Sequence, residues 1–173
     1  LNDFLKVTSL LHQSGIPFIC LKGPILSLKI YGDPTYRYIG DFDFLLPFAE
    51  VDRAANLLFS QGYQVPDDLP SLSHLPHIQK HRNQILLHHP ESNMLVELHW
   101  RLLQIPPVKE ELVDQLVQDN LKDVTFSGQK FLTMSDELEL LFLIIHGGQH
   151  NWFRLKWLED VRQITRLDKY DPV

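Results

Sequence analysis

Cysteine is nearly absent from this 173-residue chain, with Cys20 as the single example. One thiol cannot form an intramolecular disulfide. That excludes a disulfide-stapled scaffold and fits a reducing, cytoplasmic setting. Cys20 itself sits in an apolar run and is expected to be buried and inert. No apolar run approaches the roughly 20 residues of a membrane span, and the start shows no signal-peptide pattern, so no membrane partner is expected. Cations are in the minority, with 16 Lys and Arg against 22 Asp and Glu and a formal net charge of −6. A broad nucleic-acid-binding surface is therefore excluded, because such domains are basic, although a local basic pocket remains open. Internal repeats and low-complexity segments are lacking too. The chain opens at Leu1 without a methionine and closes on "DKYDPV", so it reads as a piece of a longer chain with sequence missing at both ends.

What is present suffices for one domain with a helical appendage: 44% of residues are hydrophobic, a normal core fraction. "NDFLKVTSLLHQSG" puts Phe4, Leu5, Val7, Leu10 and Leu11 near one helical face, with Gly15 as the stop. "IPFICL" reads as a strand. "GPILSLKIYG" opens a helix at Pro24 and closes it at Gly32. "GDFDFLL" is a strand and "EVDRAANLLFSQGY" an amphipathic helix. Residues 64–77, with three prolines, read as a loop. "NQILLHH" and "NMLVELHW" flank "PES" as a hairpin. "PPVKEELVDQLVQD" is a helix. "KDVTF" and "KFLTM" form a second hairpin around "SGQ". Ser135 caps "DELELLFLIIHGG", and "NWFRLKWLEDVRQITRL" is a last helix. The order describes a small mixed α+β core with a helical C-terminal part.

The strand "DFDFLL" poses the functional question, because carboxylates are rarely buried unless paired or metal-bound. Residues i and i+2 share a face, so Asp41 and Asp43 project together while Phe42 and Phe44 enter the apolar side. Two like charges at that spacing repel unless a cation lies between them. Hard oxygen ligands on a rigid strand suit Mg²⁺; the alternative is an exposed edge strand with two ordinary aspartates. "VELHW" alternates in the same way, placing Glu97 and His99 on one face. A third carboxylate on a neighbouring strand would complete a triad able to hold two metal ions. His99 either orients Glu97, acts as a base, or packs beneath Trp100. Upstream, "LKGP" ends a strand and starts a helix, so Lys22 and Gly23 present a positive charge and backbone N–H groups to an anion, or else form an ordinary turn. If the two aspartates repel, Asp43→Asn is expected to leave stability unchanged or slightly raised without metal.

Together "IPFICLKGPILSLKIYGDPTYRYIGDFDFLL", "ELHWRL" and, more weakly, "HGGQHNWFRLKWLEDV" resemble the DNA polymerase β-like nucleotidyltransferase superfamily, and within it the uncharacterised bacterial nucleotidyltransferases. The resemblance implies a nucleotidyltransferase core over residues 1–134 and a C-terminal helical part over 135–173. It implies Gly23 in a phosphate loop, Asp41 and Asp43 as principal metal ligands, and Glu97 as the third carboxylate. Two Mg²⁺ ions are implied, with Mn²⁺ able to substitute. The implied reaction moves a nucleoside monophosphate from an NTP to an acceptor hydroxyl, releasing pyrophosphate. The acceptor is a small molecule, a protein hydroxyl or an RNA end. Pro24 departs from the pattern by lacking the N–H that would follow Gly23, and the Gly23–Asp41 interval is longer than usual; Lys22 offers compensation. A non-catalytic module retaining the fold is the competing reading.

Three further groups bear weighing. Arg37 either neutralises phosphate by a bidentate contact or pairs with an acid of the chain. Arg154 and Lys156 read as a solvated helix face rather than as phosphate contacts. His74, His77 and His81, and the pair His146 and His150 of "HGGQH", invite a zinc reading, but "HGGQH" lacks the glutamate of HExxH and no cysteine pair accompanies it. Trp100, Trp152 and Trp157 are expected in the core.

Overall fold

A computed structural model describes residues 1–66, 82–103 and 108–167. Helix α1 (Asn2–Gln13) buries Phe4, Val7, Thr8 and Leu11, an i, i+3, i+4, i+7 stripe. Leu5 and Leu10 are only half-buried, and the small Thr8 takes the inward position by donating its hydroxyl to the Phe4 carbonyl at 2.9 Å. Strand β1 is just Ile19–Cys20, shorter than "IPFICL" suggests; Pro17 has no N–H to give a ladder. Helix α2 (Gly23–Tyr31) is buried on most sides and ends at Gly32 in the left-handed conformation, φ 74°. Strand β2 is Asp41–Leu45 and helix α3 is Phe48–Phe59. Of the expected loop over 64–77, residues beyond 66 lie outside the described ones, and Gln64 pairs with His88 as a β-bridge.

The hairpin β3 (Gln84–His89) and β4 (Met94–His99) completes the first sheet. Its order is β1-β2-β4-β3, with β2 and β4 parallel and the outer pairs antiparallel. Phe42, Phe44, Val96 and Leu98 leave one face of this sheet and meet α1, where the Phe4 ring lies 5.4 Å from Phe42 and 6.1 Å from Phe44. Burying such rings contributes about 2–3 kcal/mol each, and it sets the register: a one-residue slip would turn them to the other face. Helix α4 (Glu110–Asp119) leads into the second hairpin, β5 (Leu121–Phe126) and β6 (Gln129–Met134). Its turn residues Ser127 and Gly128 both have positive φ, which matches the right-handed twist of the two strands.

Ser135 caps helix α5 (Asp136–Gln149), its hydroxyl accepting from the Leu138 N–H at 3.3 Å. The helix continues through the two glycines of "HGGQH". At Gly147 a Cβ would stand 2.3 Å from the Trp152 ring, so only glycine lets that ring fold back. Helix α6 runs over Leu155–Ile164, starting later than "NWFRL" suggests. Both C-terminal helices pack against α2. Among the described residues no helix is long and apolar enough to cross a membrane.

One contact between α5 and α2 is electrostatic. Glu139 is fully buried and faces Lys29, with Nζ 3.1 Å from Oε2, while its Oε1 has no partner. Burial pushes its carboxyl up to about 7, against the opposing pull of Lys29. A carboxyl that binds its proton more tightly folded than unfolded stabilises the fold at acid pH. That contribution is lost as pH rises from the unfolded value near 4.5 through 7. The loss should be about 3 kcal/mol. Denaturant unfolding at pH 5 and pH 8 should therefore show a larger drop for wild type than for Glu139→Gln. Parallel pH profiles would show that Glu139 is ionised throughout.

Candidate active site

In the parallel pair β2–β4, Asp43 stands opposite Glu97 and Leu45 opposite His99. Residues in register on adjacent strands point to the same face. The "DFD" and "ELH" alternations therefore merge into one acidic patch, and their apolar alternates enter the core. One oxygen of Asp43, one of Glu97 and a His99 nitrogen lie within 4.8 Å of one another. Asp41 shares the face but stands outside this compact trio, half-buried and lining the cleft beside it.

Asp43 is 2% exposed and already has chain partners. Its Oδ1 is 3.0 Å from the Lys22 ammonium and 3.3 Å from His99 Nε2. Burial opposes its charge, yet Lys22 and His99 outweigh that and hold the carboxyl well below the usual carboxylate range. Burial likewise disfavours the Lys22 ammonium, but Asp43, with Asp41 and Glu97 beyond, raises it above its ordinary value. His99 Nε2 also reaches Glu97 Oε2 at 3.2 Å, so a single ring N–H bridges two carboxylates. Burial lowers the pKa of this imidazole, and the two acceptors reverse the direction and raise it. The cation that the acidic pair demands is thus supplied in part by the chain.

Gly23 lines the same cleft with φ 69°, a left-handed conformation strained for any residue with a Cβ. Lys22 meets Asp43 directly from the turn before α2. Arg37 also lines the cleft, and of its two open partners the structure shows the carboxylate. Its Nε lies 2.9 and 3.0 Å from the two oxygens of Asp160 and its Nη2 2.8 Å from Oδ2. Asp160 is fully buried and accepts a further bond from the Tyr31 hydroxyl at 2.9 Å. Asp160 and Tyr31 escape the sequence reading. A signal did exist: Asp160 lies between Trp157 and Ile164 on the buried stripe of α6, where an acid is out of place.

The far wall comes from α5 and α6. His146, His150, Phe153, Arg154, Lys156 and Trp157 face Lys22, Asp41 and Glu97 across about 450 Å³. Arg154 and Lys156, expected on a solvated face, line the cleft instead. The reason is that α6 packs its Trp157 side inward and carries its first turn to the cleft mouth. Burial, with the positive charges of Lys22 and His150, brings His146 down to about 3, so its ring is neutral at physiological pH. The His146 and His150 rings lie 4.7 Å apart, tilted at 55°, without a third ligand, and Asp43–Glu97–His99 is the only metal-type cluster among the described residues. His74, His77 and His81 lie outside those residues. Trp100 and Trp157 are buried and Trp152 half-buried. Cys20 is buried, and burial pushes its thiol up and out of reactive range.

Residues 1–171 match the model of a family described as "uncharacterised nucleotidyltransferase". The chain belongs to that family. Its enzyme class is nucleotidyl transfer, and its fold is shared with solved structures. ANT(2'')-Ia in complex with adenylyl-2''-tobramycin is 13% identical with a TM-score of 0.65, over 94% of this chain and 86% of that one. The solution structure of the antibiotic-resistance factor ANT(2'')-Ia gives 13% and 0.64, over 93% and 80%. The lincosamide antibiotic adenylyltransferase LnuA, lincomycin-bound, is 16% identical with a TM-score of 0.65, over 95% and 96%. At these identities the likeness is one of fold. No curated protein sequence matches the chain.

The Lys22 and His99 contacts reverse one expectation. Asp43→Asn removes a buried carboxylate that two cationic partners already compensate, leaving a buried ammonium without its charge. Without metal it should destabilise the fold by about 2–4 kcal/mol rather than leave it unchanged. Urea unfolding in EDTA at neutral pH checks this, and Lys22→Met combined with Asp43→Asn should recover part of the loss. An Asp43→Asn protein as stable as wild type would mean that the Lys22 contact contributes nothing.

Proposed function

We propose that this cleft moves a nucleoside monophosphate from an NTP, ATP in the first instance, to an acceptor hydroxyl with release of pyrophosphate, using Mg²⁺ held by Asp41, Asp43 and Glu97. One observation carries the reading. Asp43 Oδ2 is buried with no hydrogen-bond partner, on the face it shares with Glu97 and beside the glycine turn that opens α2. A buried acceptor oxygen left without a donor is costly, and a divalent cation satisfies it. The donor set fits: carboxylate oxygens suit Mg²⁺ or Mn²⁺, and His99, its Nε2–H turned to Asp43 and Glu97, supports those carboxylates rather than ligating the ion. Bound there, such ions supply Lewis-acid charge to the α-phosphate and lower the pKa of the acceptor hydroxyl.

The chain's own groups do the rest. The Gly23 turn and the N-terminus of α2 bind phosphate oxygens, with Lys22 as the nearest fixed cation. Pro24 removes one N–H from that cradle, which puts more weight on charge. Arg37, held by Asp160, adds positive potential from the side. His99, donating toward both Asp43 and Glu97, keeps the two carboxylates turned to the cleft. Glu97 takes the proton from the acceptor hydroxyl. The hydroxyl oxygen bonds to the α-phosphorus, the bond from that phosphorus to the bridging oxygen breaks, and pyrophosphate leaves with the electron pair.

The size of the cleft favours a small hydroxyl compound as acceptor over a protein or an RNA end, in line with the antibiotics named for the structural neighbours. The division into a core over 1–134 and a helical part over 135–173 follows the cleft, whose two walls come from the two parts. A cytoplasmic location suits a reaction fed by NTP. The competing non-catalytic module rests on Lys22, whose ammonium already neutralises Asp43. The two readings separate in one experiment: purified protein is incubated with each NTP, Mg²⁺ and a small-molecule extract, and products are read by mass spectrometry. A nucleotidylated product should form, EDTA should abolish it, and Asp43→Asn and Glu97→Gln should each lower the rate by about 10³-fold or more. Unchanged NTP in every arm, from protein that still binds nucleotide, would establish the binding module.

A further inference from the structure

A second hollow lies between α4 and the ends of the sheet strands. It encloses about 480 Å³, against about 450 Å³ for the cleft, and the two share no lining residue. Its walls are apolar and buried: Ile19 of β1, Leu46 after β2, Trp100 after β4 and Val117 of α4. Phe48 completes them, its ring 5.5 Å from that of Trp100. Protein interiors are close-packed, so apolar space of this size is unusual unless something occupies it. Its volume and lining are those of a small-molecule pocket. Helix α4 keeps it open. Of the ten residues of that helix only Val117 is buried, so the helix stands beside the hollow without filling it.

The polar groups at this hollow are few: Arg101, Glu110, Asp114 and Gln118. Arg101 Nε is 2.7 Å from Glu110 Oε2, so those two charges offset each other. Asp114, one helical turn after Glu110, has no hydrogen bond or ion pair among the described residues. Burial, together with the charges of Glu110 and Glu111, raises its carboxyl above the ordinary value against the pull of Arg101. An apolar hollow with a carboxylate short of a cation excludes several occupants. Phosphates and other anions are repelled. A second copy of the same helix is repelled too, because residues 109–119 hold Glu110, Glu111, Asp114 and Asp119 against Lys109 alone.

We propose that the hollow is a binding site, separate from the cleft, for a small organic cation: an ammonium group carried on an apolar ring or chain. The apolar body fills the space against Leu46, Phe48 and Trp100, and the ammonium pairs with Asp114 at the rim. Burial of the body supplies most of the affinity, and the charge selects among bodies of one shape. The position brings such a ligand close to the catalytic strands. Leu45 and Trp100 line the hollow, two residues after Asp43 and one after His99. An occupant therefore reaches the ends of both strands that carry the carboxylates. Binding of this kind requires nothing of the reaction in the cleft.

Titrations of the whole chain at neutral pH, followed by proton–nitrogen NMR, use three probes of one shape: phenylbutylamine, phenylbutanol and phenylbutyrate. The Trp100 indole N–H and the α4 amides report on the hollow, and the amides of His146 and His150 report on the cleft. The amine should bind with a Kd of about 1 mM or tighter and move the Trp100 and α4 signals. The alcohol should bind about fivefold more weakly and the butyrate more weakly still. Asp114→Asn should weaken the amine by about fivefold and leave the alcohol unchanged. Asp114 is exposed, and circular dichroism verifies the fold of the variant. Equal affinity for all three probes, or an amine indifferent to Asp114→Asn, overturns the proposal. So do signals that move only in the cleft, and so does the absence of any shift at about 10 mM probe. Sedimentation at the same protein concentration addresses the other occupant. A dimer whose α4 amides are protected from exchange would mean that a second copy covers the hollow, and that too overturns the proposal.

Discussion

The contact between Lys22 and Asp43 is the constraint around which this molecule is arranged. A carboxylate at 2% exposure cannot remain charged without compensation. The compensation comes from the residue just before α2 and from His99 at the end of β4. The glycine turn, the acidic strand and the third carboxylate are therefore held together by charge before any ligand arrives. The pairing also leaves Asp43 Oδ2 unsatisfied, so the site is compensated but still has capacity to bind.

Helix α2 carries the same logic outward. It is apolar over most of its surface, yet it or the residue before it joins three buried or half-buried polar contacts: Lys22 to β2, Lys29 to Glu139 of α5, and Tyr31 to Asp160 of α6. Buried ion pairs are a poor source of net stability. Here they fix orientation, since apolar packing alone would let α5 and α6 rotate or slide on α2. The Arg37–Asp160 pair adds a fourth tie, binding the segment before β2 to α6. The two walls of the cleft are thereby fixed relative to each other through side chains more than 100 residues apart in sequence.

The family's reaction class gives these ties a use. Nucleotidyl transfer needs a nucleotide and an acceptor held in one geometry, and positioning of that kind contributes much of the rate in reactions without a covalent intermediate. A cleft with one wall on a sheet and the other on two helices, tied by buried polar contacts, offers a frame for such positioning.

The elements and the acidic face were legible in the sequence because they follow from periodicity. "DFD" and "ELH" alternate at period two, which assigns Asp41, Asp43, Glu97 and His99 to polar faces and Phe42, Phe44, Val96 and Leu98 to the core. Gly32, Gly128 and Ser135 mark a helix end, a hairpin turn and a cap by local chemistry alone. Other features could not be read this way. Periodicity says which face a residue takes, not which distant residue it meets. It left Lys22 open between an anion contact and an ordinary turn without naming Asp43 as its neighbour, left both partners of Arg37 open, and passed over Asp160. It also put Arg154 and Lys156 in solvent, because a helix wheel shows a polar side but not whether that side borders a cleft. Local pattern determined the strands, the turns and the shared face of the carboxylates. The packing of α5 and α6 on α2 decided which charges meet, because long side chains take their partners from whatever the fold brings within reach.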